Sequence, residues 1–320
     1  RGTTAGKEMT RSAKIFLGAC LTSFALWFLA GAGISMLKNF FFWHEVARLS
    51  AHSSADTLRA QLEKIRPTAK PGAIPPNIAA QAAFSLLITP EGEERVLFAK
   101  NQNRQLPIAS LTKLMTALVS LESYGPKKQI LVSAQAIAQE GDQGRLLVGQ
   151  TLSVEEILYP LLLESSNDAA AALAEHMGQE QFIGRMNNRA NTLRLTRTSF
   201  VNPNGLDPED PEILPNLSSA GDLAELAVFV KQNYPEVFNI LVLPEFGPYV
   251  NTNEFVRSNG WHTKVLGGKT GQTDLAQGCL ILLLQSPKNK GYVVNVILGA
   301  GNRFREMQEL VDWTHDGYIW

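Results

Sequence analysis

Pro107-Ile108-Ala109-Ser110-Leu111-Thr112-Lys113-Leu114-Met115-Thr116-Ala117-Leu118 reads as a loop running into a helix. Pro107 punctuates the start, and Leu114, Leu118 and Leu121 recur at helical spacing on one face. Ser110 and Lys113 are three apart, so on a helix they are neighbours. A serine hydroxyl is a poor nucleophile until a nearby base takes its proton. A lysine amine can be that base when neutral, which requires a lowered pKa. The positive end of a helix helps, since it disfavours an ammonium and favours a developing anion. The spacing alone decides little, because Ser35-Met36-Leu37-Lys38 matches it too, at the end of an apolar run.

The 320 residues are 45% hydrophobic, enough for a large core in one or two domains. A net charge of -1 with no Lys/Arg stripe argues against nucleic acid as a partner. Cys20 falls in an apolar run and Cys279 in a strand pattern, so no disulfide between them is expected. His44, His52, His176, His262 and His315 share no metal-ligand spacing. No metal and no cofactor is expected.

Upstream of the Ser110 stretch, residues 1–14 are polar and basic, a cytoplasmic tail. The chain opens on Arg1, and Met9 is a candidate start. Residues 15–37 carry no charge and would be about 35 Å long as a helix, enough to cross a bilayer core. Phe40, Phe41, Phe42 and Trp43 follow in the place of an interfacial belt. The leading expectation is an uncleaved signal anchor. A cleaved signal peptide with Ala30-Gly31-Ala32 at its site and a lipoprotein signal ending at Cys20 are the alternatives. Each places the remainder outside the cytoplasm, on the bacterial membrane or secreted. Residues 38–66 form a membrane-proximal segment, helical from 44, with Leu58, Leu62 and Ile65 on one side. Residues 67–77 hold four prolines and read as an extended linker. The globular domain is expected over 78–320.

In that domain, 82–89 and 95–100 read as strands around a turn at Pro90-Glu91-Gly92. Ser153-Val154-Glu155-Glu156 is a capping box opening a helix through Leu163. Residues 169–177 and 182–193 read as helices, and Ser219 caps another through Lys231. Residues 262–273, 277–285 and 292–299 read as strands, with a closing helix over 305–314. Strands at both ends and helices between them give an α+β class, with an antiparallel sheet built from both chain ends.

Three pieces then stand together: Ser110-x-x-Lys113, Ser165-x-Asn167 on a helix-to-helix turn, and Lys269-Thr270-Gly271 on a late strand. The glycines of Gly267-Gly268-Lys269-Thr270-Gly271 mark a bulge or the close approach of another backbone or a ligand. This order is the signature of penicillin-binding proteins and class A β-lactamases. Residues 108–113, 165–170, 186–187, 202–207, 251–253 and 269–273 together resemble the low-molecular-mass penicillin-binding proteins, the serine D-alanyl-D-alanine carboxypeptidase family.

The resemblance implies a β-lactamase/transpeptidase-like fold. It implies a peptidoglycan stem peptide ending in D-Ala-D-Ala as substrate and β-lactams as covalent inhibitors. By the same resemblance Ser110 attacks, Lys113 takes its proton, Ser165 relays a proton to the leaving amine, and Asn167 holds the substrate amide or Lys113. Lys269 keeps the site positive, and Thr270 binds the terminal carboxylate. Ser110 and Gln272 supply an oxyanion hole from their backbone N–H groups, and the strand through Gly271 pairs with the peptide. Arg303 faces the same carboxylate or else caps the last helix. Ser166 stands where the family often has glycine, and the β-rich C-terminal domain of some relatives has no counterpart by Trp320. Either the N-terminal run supplies membrane attachment in its place, or the chain is truncated at its C-terminus.

Three further readings remain open. The same residues serve a D,D-endopeptidase on cross-links. A β-lactamase would use Glu212-x-x-x-Asn216, which matches a loop motif of class A enzymes. A non-catalytic wall-binding or β-lactam-sensing protein would need neither Ser110 nor Lys113.

Overall fold

Along Gln277–Gln285, the side chains of Cys279, Ile281 and Leu283 enter one apolar cluster, and those of Leu280, Leu282 and Leu284 enter another. A strand sends alternate side chains to opposite faces. A strand buried on both faces therefore reads as a continuous apolar run, which is what this stretch is. The computed structural model describes residues 67–141, 145–258 and 263–320. The expected tail, membrane run and membrane-proximal segment lie outside the described residues, as do Cys20 and the Ser35/Lys38 match. Among the described residues, no helix is long and apolar enough to cross a membrane.

The central sheet uses β1 (Ala82–Ile88), β2 (Glu94–Lys100), β3 (Val265–Thr273), β4 (Gln277–Gln285) and β5 (Tyr292–Ala300). Its order is β3-β4-β5-β1-β2, with every pair antiparallel. The early hairpin thus joins the late strands, giving the expected α+β sheet from both ends of the chain. Ser85 sits opposite Asn295 in register, and its hydroxyl donates to the Asn295 Oδ1 at 2.8 Å, so this polar pair is satisfied inside the sheet.

One face of the sheet is covered by α7 (Arg303–Asp316) through Met307, Leu310 and Val311. The other faces the helical region. This comprises α1 (Lys113–Tyr124), α2 (Val154–Tyr159), α3 (Asn167–Glu175), α4 (Gln179–Thr192), α5 (Ala220–Asn233) and α6 (Pro235–Leu241). Ser153 caps α2 by accepting from the Glu156 N–H, while the Glu156 carboxylate accepts from the Ser153 N–H, completing the capping box.

Two elements differ from the sequence reading. The helix expected through Leu163 ends as α2 at Tyr159 and continues as a π-turn over Pro160–Glu164. Pro160 has no N–H to donate, and the backbone re-closes through the Ser165 N–H onto the Pro160 carbonyl. The linker expected over 67–77 is part of the fold at its start. Thr68–Ala69 pairs antiparallel with Tyr318–Ile319, and the Lys70 N–H donates to the Gly317 carbonyl at 2.8 Å. Pro71, Pro75 and Pro76 fall beyond this pairing, so no ladder N–H is lost to proline. The compact unit runs over Pro67–Trp320.

Candidate active site

Ser110 stands in a 3₁₀ turn, Ala109–Thr112, that leads directly into α1. Ala109 holds φ at 47°, an unfavourable value for a residue with a Cβ. Packing imposes it. A Cβ on Gly205 would lie 2.1 Å from the Ala109 carbonyl oxygen, and one on Gly271 would lie 3.1 Å from the Ser110 nitrogen. Both glycines let a second backbone press against the serine turn. Thr112 adds a bond from its hydroxyl to the Ala109 carbonyl at 2.8 Å.

Lys113 is wholly buried at the start of α1, whose first turn carries no acid. Its Nζ lies 2.9 Å from Ser110 Oγ, 2.8 Å from Asn167 Oδ1 and 2.6 Å from the Asn204 carbonyl. The Asn167 amide is oriented independently, since its Nδ2 donates to the Glu140 carbonyl at 2.7 Å. Two of the three partners of Lys113 are therefore acceptors only. A neutral amine has two N–H groups and one lone pair. Once both N–H groups are given to Asn167 and Asn204, the lone pair faces the Ser110 hydroxyl. Burial, and then the nearby Lys269 charge, push the Lys113 pKa well below its ordinary value. The depressed pKa and the contact to Ser110 Oγ together mark Lys113 as the group placed to take the serine proton.

Ser165 is held in left-handed backbone, φ 64°, where the π-turn meets α3. Ser166 caps α3 by accepting from the Ala169 N–H at 3.1 Å, a bond that glycine there would not make. Lys269 reaches across from the edge strand β3 and donates to Ser165 Oγ at 2.8 Å and to the Thr270 carbonyl at 2.9 Å. Because Ser165 Oγ accepts from Lys269, its own hydrogen is free to donate. Burial and the Arg303 charge lower the Lys269 pKa to about 7.

The glycines of β3 have both causes foreseen for them. The register shifts between Val265 and Gly267, and a Cβ on Gly268 would meet the Ile281 carbonyl at 2.5 Å and Asn253 Nδ2 at 2.6 Å. Thr270 is buried, and Gln272 is exposed at the outer end of the same strand. Arg303, first residue of α7, donates to Gln272 Oε1 and so lies beside the strand rather than on a remote surface.

The structure thus gathers Ser110, Lys113, Ser165, Asn167, Lys269, Thr270, Gly271, Gln272 and Arg303 around one edge of the sheet. The Glu212–Asn216 match does not join them. Glu212 is exposed. Buried Asn216 spends its oxygen on the Val201 and Asn202 N–H groups and its amide on Thr112 Oγ1 and both oxygens of Asn202. Sequence reasoning gave no role to the Asn204 carbonyl. A backbone acceptor leaves no mark in a residue pattern; only the matching stretch 202–207 pointed to it.

A serine in contact with a buried lysine of depressed pKa, beside a β-edge, is the apparatus of a serine-type acyl hydrolase. The family described as D-alanyl-D-alanine carboxypeptidase matches residues 70–302, and the chain belongs to that family. It is similar to a D-alanyl-D-alanine endopeptidase of Pseudomonas aeruginosa, 33% identical over 256 residues, covering 74% of this chain and 79% of the relative. It is also similar to the D-alanyl-D-alanine carboxypeptidase DacF of Bacillus subtilis, 29% identical over 266 residues, covering 75% and 64%. Among solved structures, penicillin-binding protein D2 from Listeria monocytogenes in its ampicillin-bound form superposes with a TM-score of 0.60 at 28% identity, covering 74% and 97%. The fold is the penicillin-binding protein, transpeptidase-like one, and the chain is a serine hydrolase of the D-Ala-D-Ala carboxypeptidase type.

Proposed function

We propose that this enzyme removes the terminal D-alanine from peptidoglycan stem peptides through an acyl-enzyme on Ser110. The observation that carries the assignment is the buried amine of Lys113, whose Nζ lies 2.9 Å from Ser110 Oγ and is fixed there by contacts to Asn167 Oδ1 and the Asn204 carbonyl. Lys113 takes the hydroxyl proton as Ser110 Oγ attacks the carbonyl between the two D-alanines. The oxyanion forms against the Ser110 and Gln272 N–H groups. As the C–N bond breaks, Ser165, oriented by Lys269, gives its proton to the leaving amine and takes back the proton that Lys113 received from Ser110. Water then hydrolyses the acyl-Ser110 ester and restores both partners. Thr270 and Arg303 hold the terminal carboxylate, and β-lactams acylate the same serine.

A second reading is endopeptidase cleavage of cross-links. It is favoured by the name of the Pseudomonas aeruginosa relative. The two share every step up to the leaving group, which is a free D-alanine in one and a cross-linked peptide in the other. Mass spectrometry of products from a muropeptide mixture separates them: loss of one D-alanine from pentapeptides supports the carboxypeptidase, and loss of cross-linked dimers without D-alanine release supports the endopeptidase. The apolar run 15–37 and the location of the substrate support action outside the cytoplasmic membrane, with that run as anchor or export signal.

A further inference from the structure

The stretch Asn251-Thr252-Asn253 takes no part in the chemistry above, yet it is tightly pinned beside the site. Asn251 is buried. Its Nδ2 donates to the Leu241 and Leu243 carbonyls at 3.1 and 2.9 Å, and its Oδ1 accepts from the Asn253 N–H at 2.9 Å. Asn253 is also buried and accepts from the Phe255 N–H at 3.1 Å. The Thr252 N–H donates to the Leu163 carbonyl at 3.0 Å, two residues before Ser165. Both asparagines thus turn inward and fix the backbone. The intervening threonine is left facing β3, with its Oγ1 2.6 Å from Thr270 Oγ1.

A pair of hydroxyls shares one hydrogen, and which partner donates decides what the other can do. A carboxylate offers lone pairs only. Thr270 can bind one only if its own O–H points into the cleft, which requires it to accept, not donate, in its bond with Thr252. We infer that Thr252 is a positioning residue for substrate recognition: its hydroxyl donates to Thr270 Oγ1 and so turns the Thr270 O–H toward the terminal carboxylate of the peptide. This rests on the reading that Thr270 holds that carboxylate. Thr252 thereby makes the site selective for a leaving group ending in a free acid.

The test compares two thioester substrates of one peptide, whose leaving groups carry or lack a terminal carboxylate, in wild type, Thr252→Val, Thr252→Ser, Thr270→Val and the double Val variant. Wild type prefers the acid. Thr252→Val is expected to lower kcat/KM about tenfold on the acid and less than twofold on the neutral thioester, with Thr252→Ser restoring the preference. In the Thr270→Val background, Thr252→Val should change nothing further, because the two act as one unit. Equal loss on both substrates in Thr252→Val, or an unchanged preference, overturns the inference while a lost preference in Thr270→Val keeps the carboxylate reading. A preference undiminished in Thr270→Val overturns both.

Discussion

Lys113 and Asn204 meet through a 2.6 Å bond from the lysine amine to a backbone carbonyl that no side-chain substitution can delete. The bond gives one of the two N–H groups of a neutral lysine a fixed destination, and Asn167 takes the other. Orientation of the lone pair at Ser110 therefore depends on how loop 202–206 is held. Thr116 Oγ1 donates to the Pro203 carbonyl at 2.6 Å, and the Asn204 side chain donates to Gln139 Oε1 at 3.1 Å.

Gly205 in this loop is predicted to be intolerant of a side chain. A Cβ would overlap the Ala109 carbonyl, and φ is +86°. Gly205→Ala should cost about 1–3 kcal/mol from the backbone alone and slow acylation more than tenfold by displacing the Ser110 turn. Gly125→Ala is the control: φ is +72°, with nothing within 4 Å of the new Cβ. With ψ at 163° it too should cost about 1–3 kcal/mol from the backbone, but it should leave acylation unchanged. Thermal melts and rapid-mixing acylation kinetics measure both; equal behaviour of the two variants would refute the packing argument.

Asn216 and Glu212 are predicted to behave oppositely. Asn216→Ala leaves several buried donors and acceptors unpaired, each worth about 1–3 kcal/mol, so it should lower the melting temperature sharply. Glu212→Ala should leave stability and the decay of a penicilloyl adduct within about twofold of wild type. Deacylation that collapses in Glu212→Ala would reinstate the β-lactamase reading.

The depressed pKa of Lys113 favours the proton-accepting form, and acylation should fall near pH 7 as Lys269, at about 7, loses the charge that orients Ser165. Lys269→Arg keeps the charge at all pH, so its falling limb near pH 7 should vanish even if the rate is lower. Stability has the reverse sign above neutrality. The unfolded chain binds more protons between about 7 and the ordinary 10.5 of lysine, so the melting temperature should rise from pH 7 to 9, less steeply in Lys269→Met. A falling limb that persists in Lys269→Arg would assign it elsewhere.

Much of this was legible in the sequence for a physical reason. Strands covered on both faces read as near-continuous apolar runs, and β1, broken only by Ser85, and β4 announce themselves that way. The capping box at Ser153 and the Ser-Lys spacing are local chemistry written in local residues. What stayed hidden depends on distant backbone. Neither Ala109 nor Ser165 is a glycine, so nothing in their identity gives away a positive φ. The π-turn after Tyr159 had one sign, Pro160, which also fits a helix kink. The pairing of Thr68–Ala69 with Tyr318–Ile319 joins segments some 250 residues apart, each too short to carry a strand pattern of its own.

The central claim, that neutral Lys113 activates Ser110, is tested most directly by intact-mass analysis after brief exposure to a penicillin. One adduct is predicted on the wild-type chain, none on Ser110→Ala, and at least a hundredfold slower formation on Lys113→Met, with all three proteins folded by circular dichroism. An adduct that persists in Ser110→Ala, or forms at the wild-type rate in Lys113→Met, would contradict it.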